Sequence, residues 1–344
     1  MDSILPKDDR GGPAQPLLIA TGLRKHFPIP GGLLGRTTKV VRAVDDLTLS
    51  VAKGETLGVV GESGCGKSTV ARLLIRLIKP DRGTMVLDGD PVDEPHGISV
   101  NELRRQVQMV FQDSYASLNP RLTIVETLAF APKAHGVPAA EARARARDLL
   151  TKVGLEPSTF ADRYPHELSG GQRQRVNIAR ALTLRPRLVI LDEAVSALDK
   201  SVEAQVLNML IDLKQEFGLT YVFISHDLNV VQYLSDRVMV MYLGKIVEIG
   251  AVDAIYDSPQ HPYTRALLSP RPSMDPRKRT REAPIQGDPP NPIDPPSGCR
   301  FRTRCSFAEE ACAKAEPLLA DTGAQSVACL MYVAGSGHSK AARS

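Results

Sequence analysis

The residues best suited to chemistry form a glycine-rich stretch, GESGCGKST, at positions 61–69. It follows an apolar segment and precedes a helical one, the context in which such loops bind nucleotide phosphates. Its glycines let backbone N–H groups approach the phosphates, and the start of the helix favours negative charge. Lys67 would reach the β- and γ-phosphates, and the Ser68 hydroxyl would bind Mg²⁺. The predicted ATP-binding residues of this loop are Gly61, Ser63, Gly64, Cys65, Gly66, Lys67, Ser68 and Thr69.

A second stretch, LVILDE at 188–193, ends a buried apolar run in two carboxylates. Asp192 at the tip of the strand suits a position beside Mg²⁺. Glu193 suits the polarisation of an attacking water, because hydrolysis needs a positioned base. Taken alone, this segment could equally be a strand ending in solvated acids. Together with the glycine loop, it favours nucleotide hydrolysis.

A third stretch, HELSGGQRQR at 166–175, again places serine and glycines before a helical pattern. It lies about a hundred residues beyond the glycine loop, which looks sufficient to hold a nucleotide. The residue types alone do not explain why one ATP site would need both stretches.

The segments around these stretches alternate between strand and helix patterns. LVILD (188–192) is typical of a parallel strand covered on both faces. VARLLIRLIKP (70–80) has apolar residues at helical spacing, and Pro80 is predicted to end that helix. Such alternation predicts a doubly wound α/β core. Other predicted elements are strands joined by a turn at Lys53-Gly54, a hairpin turning at Asp88-Gly89, helices at 139–153 and 171–184, a helix ending at Gly218, a strand at 221–225 and a hairpin at 238–250.

Composition narrows the class of protein. The chain has 344 residues, 42% hydrophobic and 24% charged, as in ordinary globular proteins. No apolar run approaches the ~18–20 residues of a membrane span. The start, MDSILPKDDRGG, does not resemble a secretion signal. A net charge of +4 is too small to indicate nucleic-acid binding. A cytosolic protein is expected, with any membrane role acting through a partner and with disordered ends at 1–15 and 333–344.

Six motifs occur in order and carry a resemblance to a known family: GESGCGKST, VFQD (110–113), LSGGQ (168–172), LVILDE, SALD (196–199) and FISHD (223–227). Together they resemble the nucleotide-binding subunit of ATP-binding cassette (ABC) transporters, over residues 16–255. The resemblance implies a P-loop NTPase core with an antiparallel β subdomain and a helical subdomain at about 101–183. It also implies an ATPase that uses Mg²⁺.

The resemblance offers a reason for the third stretch. In that family the LSGGQ of one subunit faces the glycine loop of another, and two ATPs are sandwiched in a head-to-tail dimer. Donors at the start of the helix would then contact a γ-phosphate held by the partner. Alone, this chain should bind ATP but hydrolyse it poorly. The residues implied are Ser169, Gly170, Gly171 and Gln172.

Other roles follow from the same resemblance, position by position. Gln112 resembles the residue that senses Mg²⁺ and the attacking water. His226 resembles the switch histidine at the γ-phosphate, although a lone histidine at a strand end is usually structural. Asp199 resembles the residue that crosses the dimer interface. Phe27 aligns with the aromatic that stacks on adenine, or is a core residue. In place of the family's usual Pro-Thr, Ala194-Val195 follow Glu193, and activity is expected to survive.

Three stretches outside the ATP motifs resemble peptide importers: QDSYASLNPRLTIVETL (112–128), HPYTRALL (261–268), and GDPPNPIDPPSGCRFRTRC (287–305) with a later VACLMY. They imply a C-terminal extension at 256–332. The segment 54–77 resembles the second of two ATPases that usually form a heterodimer. The implied partners are that sister ATPase, two membrane permeases and an extracytoplasmic solute-binding protein. The implied location is the cytoplasmic face of the inner membrane.

Several functions remain open at this stage. The solute could be a dipeptide or oligopeptide, or nickel, glutathione or a peptide antibiotic. A soluble ABC ATPase acting on DNA or ribosomes is disfavoured, because the chain has one cassette and no heptads. A non-catalytic regulatory subunit is disfavoured by intact Lys67, Asp192, Glu193 and His226. The basic, proline-rich segment 271–296 is interpreted as solvated, with contact to anionic lipid as the alternative.

Four of the five cysteines lie in the extension: Cys299, Cys305, Cys312 and Cys329. Disulfides are not expected in a reduced cytosol. Zinc usually needs a close C-x₂₋₄-C pair, which is missing. Four thiolates match the ligand count of a [4Fe–4S] cluster, and nearby Arg300, Arg302 and Arg304 would offset its negative charge. The alternatives are four buried thiols that merely pack the extension, or a zinc ion in spite of the spacing.

Overall fold

The structure is a computed structural model that describes residue 12 and residues 15–29, 39–269, 287–288 and 290–341. The predicted disordered segment 1–15 and the proline-rich segment 271–296 therefore fall largely outside the described residues.

The larger of two sheets carries the residues predicted to do chemistry. It has eight strands in the order β11-β12-β10-β9-β3-β8-β7-β6. The strands from β9 to β6 are parallel, and β10, β12 and β11 add antiparallel. Every residue of β3, β7 and β8 is buried, so this part is covered on both faces as predicted. The strands are β3 Thr56–Val60, β6 Val107–Val110, β7 Leu188–Asp192, β8 Thr220–Ile224, β9 Arg237–Tyr242, β10 Lys245–Ala251, β11 Ala320–Asp321 and β12 Gln325–Val327.

The smaller sheet is antiparallel, in the order β2-β1-β4-β5. Its strands are β1 Pro16–Ile29, β2 Lys39–Ala52, β4 Arg82–Leu87 and β5 Asp90–Pro91. Its apolar face packs with the first helix and the larger sheet in one core, which includes Leu18, Leu47, Val59 and Leu73. The predicted hairpin at Asp88-Gly89 is confirmed. Both residues have the left-handed φ angles (49° and 88°) that a tight turn needs.

Eleven helices are present in the described residues. They are α1 Lys67–Leu74, α2 Val100–Gln106, α3 Ile124–Ala134, α4 Ala139–Lys152, α5 Pro157–Phe160, α6 Gly170–Leu182, α7 Lys200–Phe217, α8 Leu228–Leu234, α9 Val252–Asp257, α10 Pro262–Leu268 and α11 Glu310–Lys314. Helices α3 to α6 pack together around buried residues such as Leu128, Leu149 and Val176. Within these ranges, no helix has both the length and the apolar character needed to cross a membrane.

Two predictions, one on the end of the first helix and one on the C-terminal tail, need correction. Helix α1 does not continue to Pro80. It ends at Leu74, because Arg76 adopts a left-handed φ of 55°, and Leu77 is 49% exposed. The tail is not disordered over 333–341. There His338 is buried and its Nε2 lies 2.9 Å from the Phe307 carbonyl oxygen, while the Ser339 N–H donates to Glu309. The extension satisfies these polar groups and so orders the tail.

Candidate active site

The glycine-rich loop connects the end of β3 to the start of α1. Gly61 and Gly66 have positive φ angles of 151° and 110°. A Cβ at Gly66 would lie 2.2 Å from the Ala43 carbonyl oxygen, and one at Gly61 would lie 2.3 Å from the Met241 carbonyl oxygen. Only glycine fits at either position. The loop is thus packed closely against β2 and β9.

The Lys67 side chain is buried and folds over this loop. Its Nζ donates to the carbonyl oxygens of Gly61 at 2.7 Å and Glu62 at 3.1 Å. An ammonium group held at the centre of a ring of backbone groups is placed to meet phosphate oxygens.

The predicted Mg²⁺ ligands are brought together. The Ser68 hydroxyl donates to Asp192 Oδ1 at 3.0 Å, across 124 residues of sequence. Burial raises the pKa of Asp192 above its usual value, and the hydrogen bond from Ser68 acts in the opposite direction. A hydroxyl and a carboxylate at one point are the hard oxygen ligands that Mg²⁺ prefers. These residues therefore fit the ion.

Three further predicted residues meet beside this point. Gln112 Nε2 donates to Glu193 Oε2 at 2.9 Å, and His226 Nδ1 lies 3.6 Å from the same oxygen. Each residue follows the carboxyl end of one of three adjacent parallel strands, β6, β7 and β8. Glu193 has a left-handed φ of 49°, a strained conformation that often marks functional sites.

Lys67, Ser68, Gln112, Glu193 and His226 line one cavity of about 510 Å³. Asp192 does not line it but is joined to it through its hydrogen bond with Ser68. Phe27 is 38% exposed at its wall, so the interpretation of Phe27 as a core residue is wrong. Cys65 is buried under the loop and does not line the cavity. Val41 and Ala43 of β2 line it too, and no motif indicated them. The lining residues are Phe27, Val41, Ala43, Ser63, Gly64, Gly66, Lys67, Ser68, Thr69, Gln112, Glu193 and His226.

The residues predicted to contact a partner's ATP, the signature residues, do not line this cavity. They are Ser169, Gly170, Gly171 and Gln172. Ser169 caps α6: its Oγ accepts from the Gln172 N–H at 3.3 Å, and Gln172 Oε1 accepts from the Ser169 N–H at 2.9 Å. The first turn is exposed at Ser169 and Gly170. Asp199 lies elsewhere, at the start of α7. The chain therefore separates these residues from its own glycine-rich loop at 61–69, the phosphate loop.

The unusual pair after Glu193 packs inward. Ala194 and Val195 are both buried in the core that surrounds β7 and α7. Neither side chain lines the cavity.

The four extension cysteines are free and line one small cavity, with room for about one water molecule. Burial raises the pKa of the Cys299 thiol to about 12 and that of Cys329 to about 11. No three His, Cys, Asp or Glu side chains in the described ranges lie close enough to hold one metal ion.

Two of the three arginines expected to offset a cluster's charge are paired with carboxylates elsewhere, so that prediction is wrong for Arg300 and Arg304. Arg302 does line the cysteine cavity. Arg300 contacts Asp45, Arg302 contacts Ser297 and Arg304 contacts Glu62. Each guanidinium is drawn to an oxygen acceptor of its own.

Comparisons with known proteins agree with this geometry. Residues 44–196 match the ABC transporter family, and residues 247–312 match the C-terminal region of oligopeptide/dipeptide transporters. The oligopeptide transport ATP-binding protein AppF of Bacillus subtilis is 48% identical, covering 92% of this chain and 97% of that protein. The dipeptide transport ATP-binding protein DppF of Escherichia coli is 47% identical, covering 92% and 94%.

Solved structures give the same result for the fold. The chain matches cbiO1 from Clostridium perfringens, part of the ABC transporter complex cbiONQ, with a TM-score of 0.60 at 26% identity, covering 74% of this chain and 96% of that one. It matches a dimeric ATP-binding cassette bound to ADP and phosphate with a TM-score of 0.59 at 28% identity, covering 68% and 98%. The chain therefore belongs to the ABC transporter family, in the group of ATP-binding proteins that carry the oligopeptide/dipeptide transporter C-terminal region.

Proposed function

We propose that this chain is the ATP-hydrolysing subunit of an importer of dipeptides or oligopeptides. The observation that carries the proposal is that Lys67, Ser68, Glu193 and His226 line one cavity, with Asp192 hydrogen-bonded to Ser68. The phosphate loop, a hard-ion site and a carboxylate base are the parts that ATP hydrolysis needs. The peptide solute is supported by the matching C-terminal region and by relatives named for oligopeptide and dipeptide transport.

The side chains have distinct roles in this proposal. Lys67 leaves its carbonyl partners for the β- and γ-phosphates, and the loop's N–H groups cradle them. Ser68 and Asp192 hold Mg²⁺, which neutralises charge on the phosphates when bound. Glu193 accepts a proton from the attacking water. Gln112 and His226 both approach Glu193 Oε2 and so hold the carboxylate in place. The other oxygen, Oε1, is the one that accepts the proton in this proposal.

The signature residues serve a second ATP. Ser169, Gly170, Gly171 and Gln172 lie at an exposed helix start, where N–H groups and a hydroxyl attract anions. Because they do not line the chain's own cavity, their phosphate is one held by another ATPase subunit. Asp199, at the start of α7, contributes to the same interface. The match to a dimeric cassette supports this arrangement.

The partners follow from this role. A sister ATPase supplies the other signature helix. Two permeases carry the solute across the inner membrane, at whose cytoplasmic face this chain is bound. An extracytoplasmic solute-binding protein delivers the solute. The solute is selected by these other chains.

Reconstitution of the five-component transporter in proteoliposomes tests the proposal. We expect dipeptides or oligopeptides, but not nickel or glutathione, to stimulate ATP hydrolysis. The Glu193→Gln transporter is the matched control and should show no stimulation. Stimulation by nickel or glutathione alone would contradict the peptide assignment, and near wild-type hydrolysis by the control would contradict the assignment of the base.

For the extension, we propose a structural [4Fe–4S] cluster held by Cys299, Cys305, Cys312 and Cys329. The support is that four free thiols line one cavity, which has room for about one water molecule and would have to widen to take the cluster. Each thiolate of a cubane cluster binds a different iron, so its ligands lie farther apart than those of one ion. Protein purified without oxygen should be brown with about four irons per chain, and Cys305→Ser should lose the colour. Colourless, iron-free protein from iron-replete cells would contradict the proposal.

A further inference from the structure

The cysteine-bearing extension contacts the phosphate loop directly through Arg304. The two Nη atoms of Arg304 donate to the two carboxylate oxygens of Glu62, at 2.8 Å and 3.0 Å. Glu62 is the second residue of the glycine-rich loop, 242 positions earlier in the chain. The Arg304 side chain is only 6% exposed. A bidentate, largely desolvated ion pair is among the stronger polar contacts and fixes geometry as well as distance.

The extension holds the same loop residue a second time, through its backbone. The Glu62 N–H donates to the Tyr263 hydroxyl at 2.8 Å. Tyr263 is fully buried, and its ring packs against Tyr242 at 4.7 Å and Phe301 at 5.4 Å between centroids. Phe301 stands between Arg300 and the other arginines of the CRFRTRC segment (299–305). The loop is therefore tied to an aromatic cluster that belongs largely to the extension.

Arg300 reaches the other side of the loop through the β9–β10 turn. Its guanidinium donates to the Leu243 carbonyl oxygen and to the Asp45 carboxylate. In that turn, the Gly244 N–H donates to the Cys65 carbonyl oxygen of the loop at 2.8 Å. The Gly244 carbonyl oxygen accepts from the Asp45 N–H at 3.0 Å. Burial alone raises the pKa of Asp45, but the Arg300 guanidinium reverses this and holds it below its usual value.

We propose that the extension is a brace for the phosphate loop, and that Arg300 and Arg304 are positioning residues for ATP binding. This rests on the proposed ATPase function. The two arginines act on two points of the loop, Arg304 on Glu62 at its start and Arg300, through the β9–β10 turn, on the Cys65–Gly244 contact at its middle. They do not line the cavity. They act by limiting the conformations of the loop, so that its N–H groups are already oriented when ATP arrives.

The chain offers a matched control in Arg302. It lies between the two positioning residues in sequence and carries the same charge, but among the described residues it donates only to Ser297 within the extension, at 2.9 Å to the carbonyl oxygen. Arg302→Gln therefore removes an arginine from the segment without touching the loop.

The test is a titration of purified full-length chain with a fluorescent ATP analogue and Mg²⁺, alongside thermal unfolding. We expect Arg304→Gln and Arg300→Gln to raise the Kd for ATP by about 5- to 20-fold. Arg302→Gln should stay within about twofold of wild type. If Arg304→Gln does not fold, Glu62→Gln removes the same ion pair from the other side and should raise the Kd to a similar extent.

A double-variant cycle separates positioning from general stability. Because Glu62 and Arg304 act as one pair, the double variant Glu62→Gln/Arg304→Gln should bind ATP about as well as either single variant. Arg304→Lys, which keeps the charge but not the bidentate geometry, should give an intermediate Kd. Folded Arg304→Gln and Arg300→Gln with wild-type Kd would overturn the brace, as would an equal loss in Arg302→Gln. Failure of the wild-type chain to bind ATP would instead overturn the proposed function.

Discussion

The phosphate loop and the signature helix α6 differ in how far away in the sequence the hydrogen-bond partners of their residues lie. Around the loop, side chains distant in sequence meet: Ser68 contacts Asp192, and Gln112 contacts Glu193. At the signature helix, the side chains of Ser169 and Gln172 each bond to the backbone N–H of the other residue, three positions apart. The loop is thus completed by the fold of this chain. The signature turn is stable locally but faces outward.

The two signature glycines sharpen this contrast. A Cβ at Gly171 would lie 2.5 Å from Val202 Cγ1 of α7, so packing requires glycine there. A Cβ at Gly170 would meet nothing within 4 Å in the described part of the chain. The fold therefore explains Gly171 but does not explain Gly170. A phosphate bound by a partner subunit supplies a reason for it.

The largest effect is expected when Glu193, the proposed base beside the phosphate loop, is replaced. In the assembled transporter, Glu193→Gln should lower ATP hydrolysis by ~10²–10⁴-fold, because water is no longer activated. ATP binding should persist and a closed dimer should accumulate. Turnover and nucleotide retention measured on the same preparation check this. Lys67→Ala is the contrasting variant and should weaken ATP binding itself.

A change on the signature side should act only in the complex. Ser169→Asp keeps a residue that caps helices well but places negative charge where the partner's phosphate would lie. We expect turnover of the complex to fall by about 10²-fold, the cost of losing one such donor. The ATP affinity of the isolated chain should not change. Equal losses in both assays would mean that the site is not shared.

The glycine pair gives a prediction with an internal control. Gly171→Ala should lower the free energy of unfolding by about 1–3 kcal/mol through overpacking against Val202. Gly170→Ala should leave it unchanged or raise it by up to about 1 kcal/mol, because alanine favours helix. Denaturant unfolding of both variants measures this. Turnover of the complex should fall for Gly170→Ala even though the chain is as stable as wild type.

The smallest effect concerns the unusual pair after Glu193. Val195→Thr places a hydroxyl in an apolar core and should lower the free energy of unfolding by about 1 kcal/mol. Turnover of the assembled transporter should stay within about twofold, because Val195 does not line the cavity. A large loss of turnover without loss of stability would show that this pair acts on Glu193 directly.

Each motif on the loop side of the ATP site could be predicted from sequence because the motif itself is local, whereas the meeting of distant motifs was implied only by the family resemblance. A glycine loop between strand and helix, and carboxylates at a strand tip, need only their own neighbours to be positioned. Val41 and Ala43 carried no signal, because a cavity wall formed by strand residues needs no particular side chain. The partners of Arg300 and Arg304 could not be predicted either, since they lie 255 and 242 positions away.

Order in the tail and the end of α1 were missed for a similar reason. The His338 ring contacts the Phe307 carbonyl oxygen, 31 positions earlier, and no local sequence pattern predicts such a contact. The apolar spacing of 70–78 predicts a helix over that whole segment, but Arg76 adopts a left-handed conformation and interrupts it. Such a break depends on how the following segment packs, and periodicity does not record it.

Two subunits are proposed to complete each ATP site, and the dependence of ATP hydrolysis on chain concentration tests this most directly. The rate of ATP hydrolysis per chain is followed while the purified full-length chain is diluted, with and without the sister ATPase and permeases. A shared site predicts a low rate that falls further on dilution and rises to a plateau as partners are added. A rate per chain that is constant at every dilution and unchanged by the partners would contradict the account.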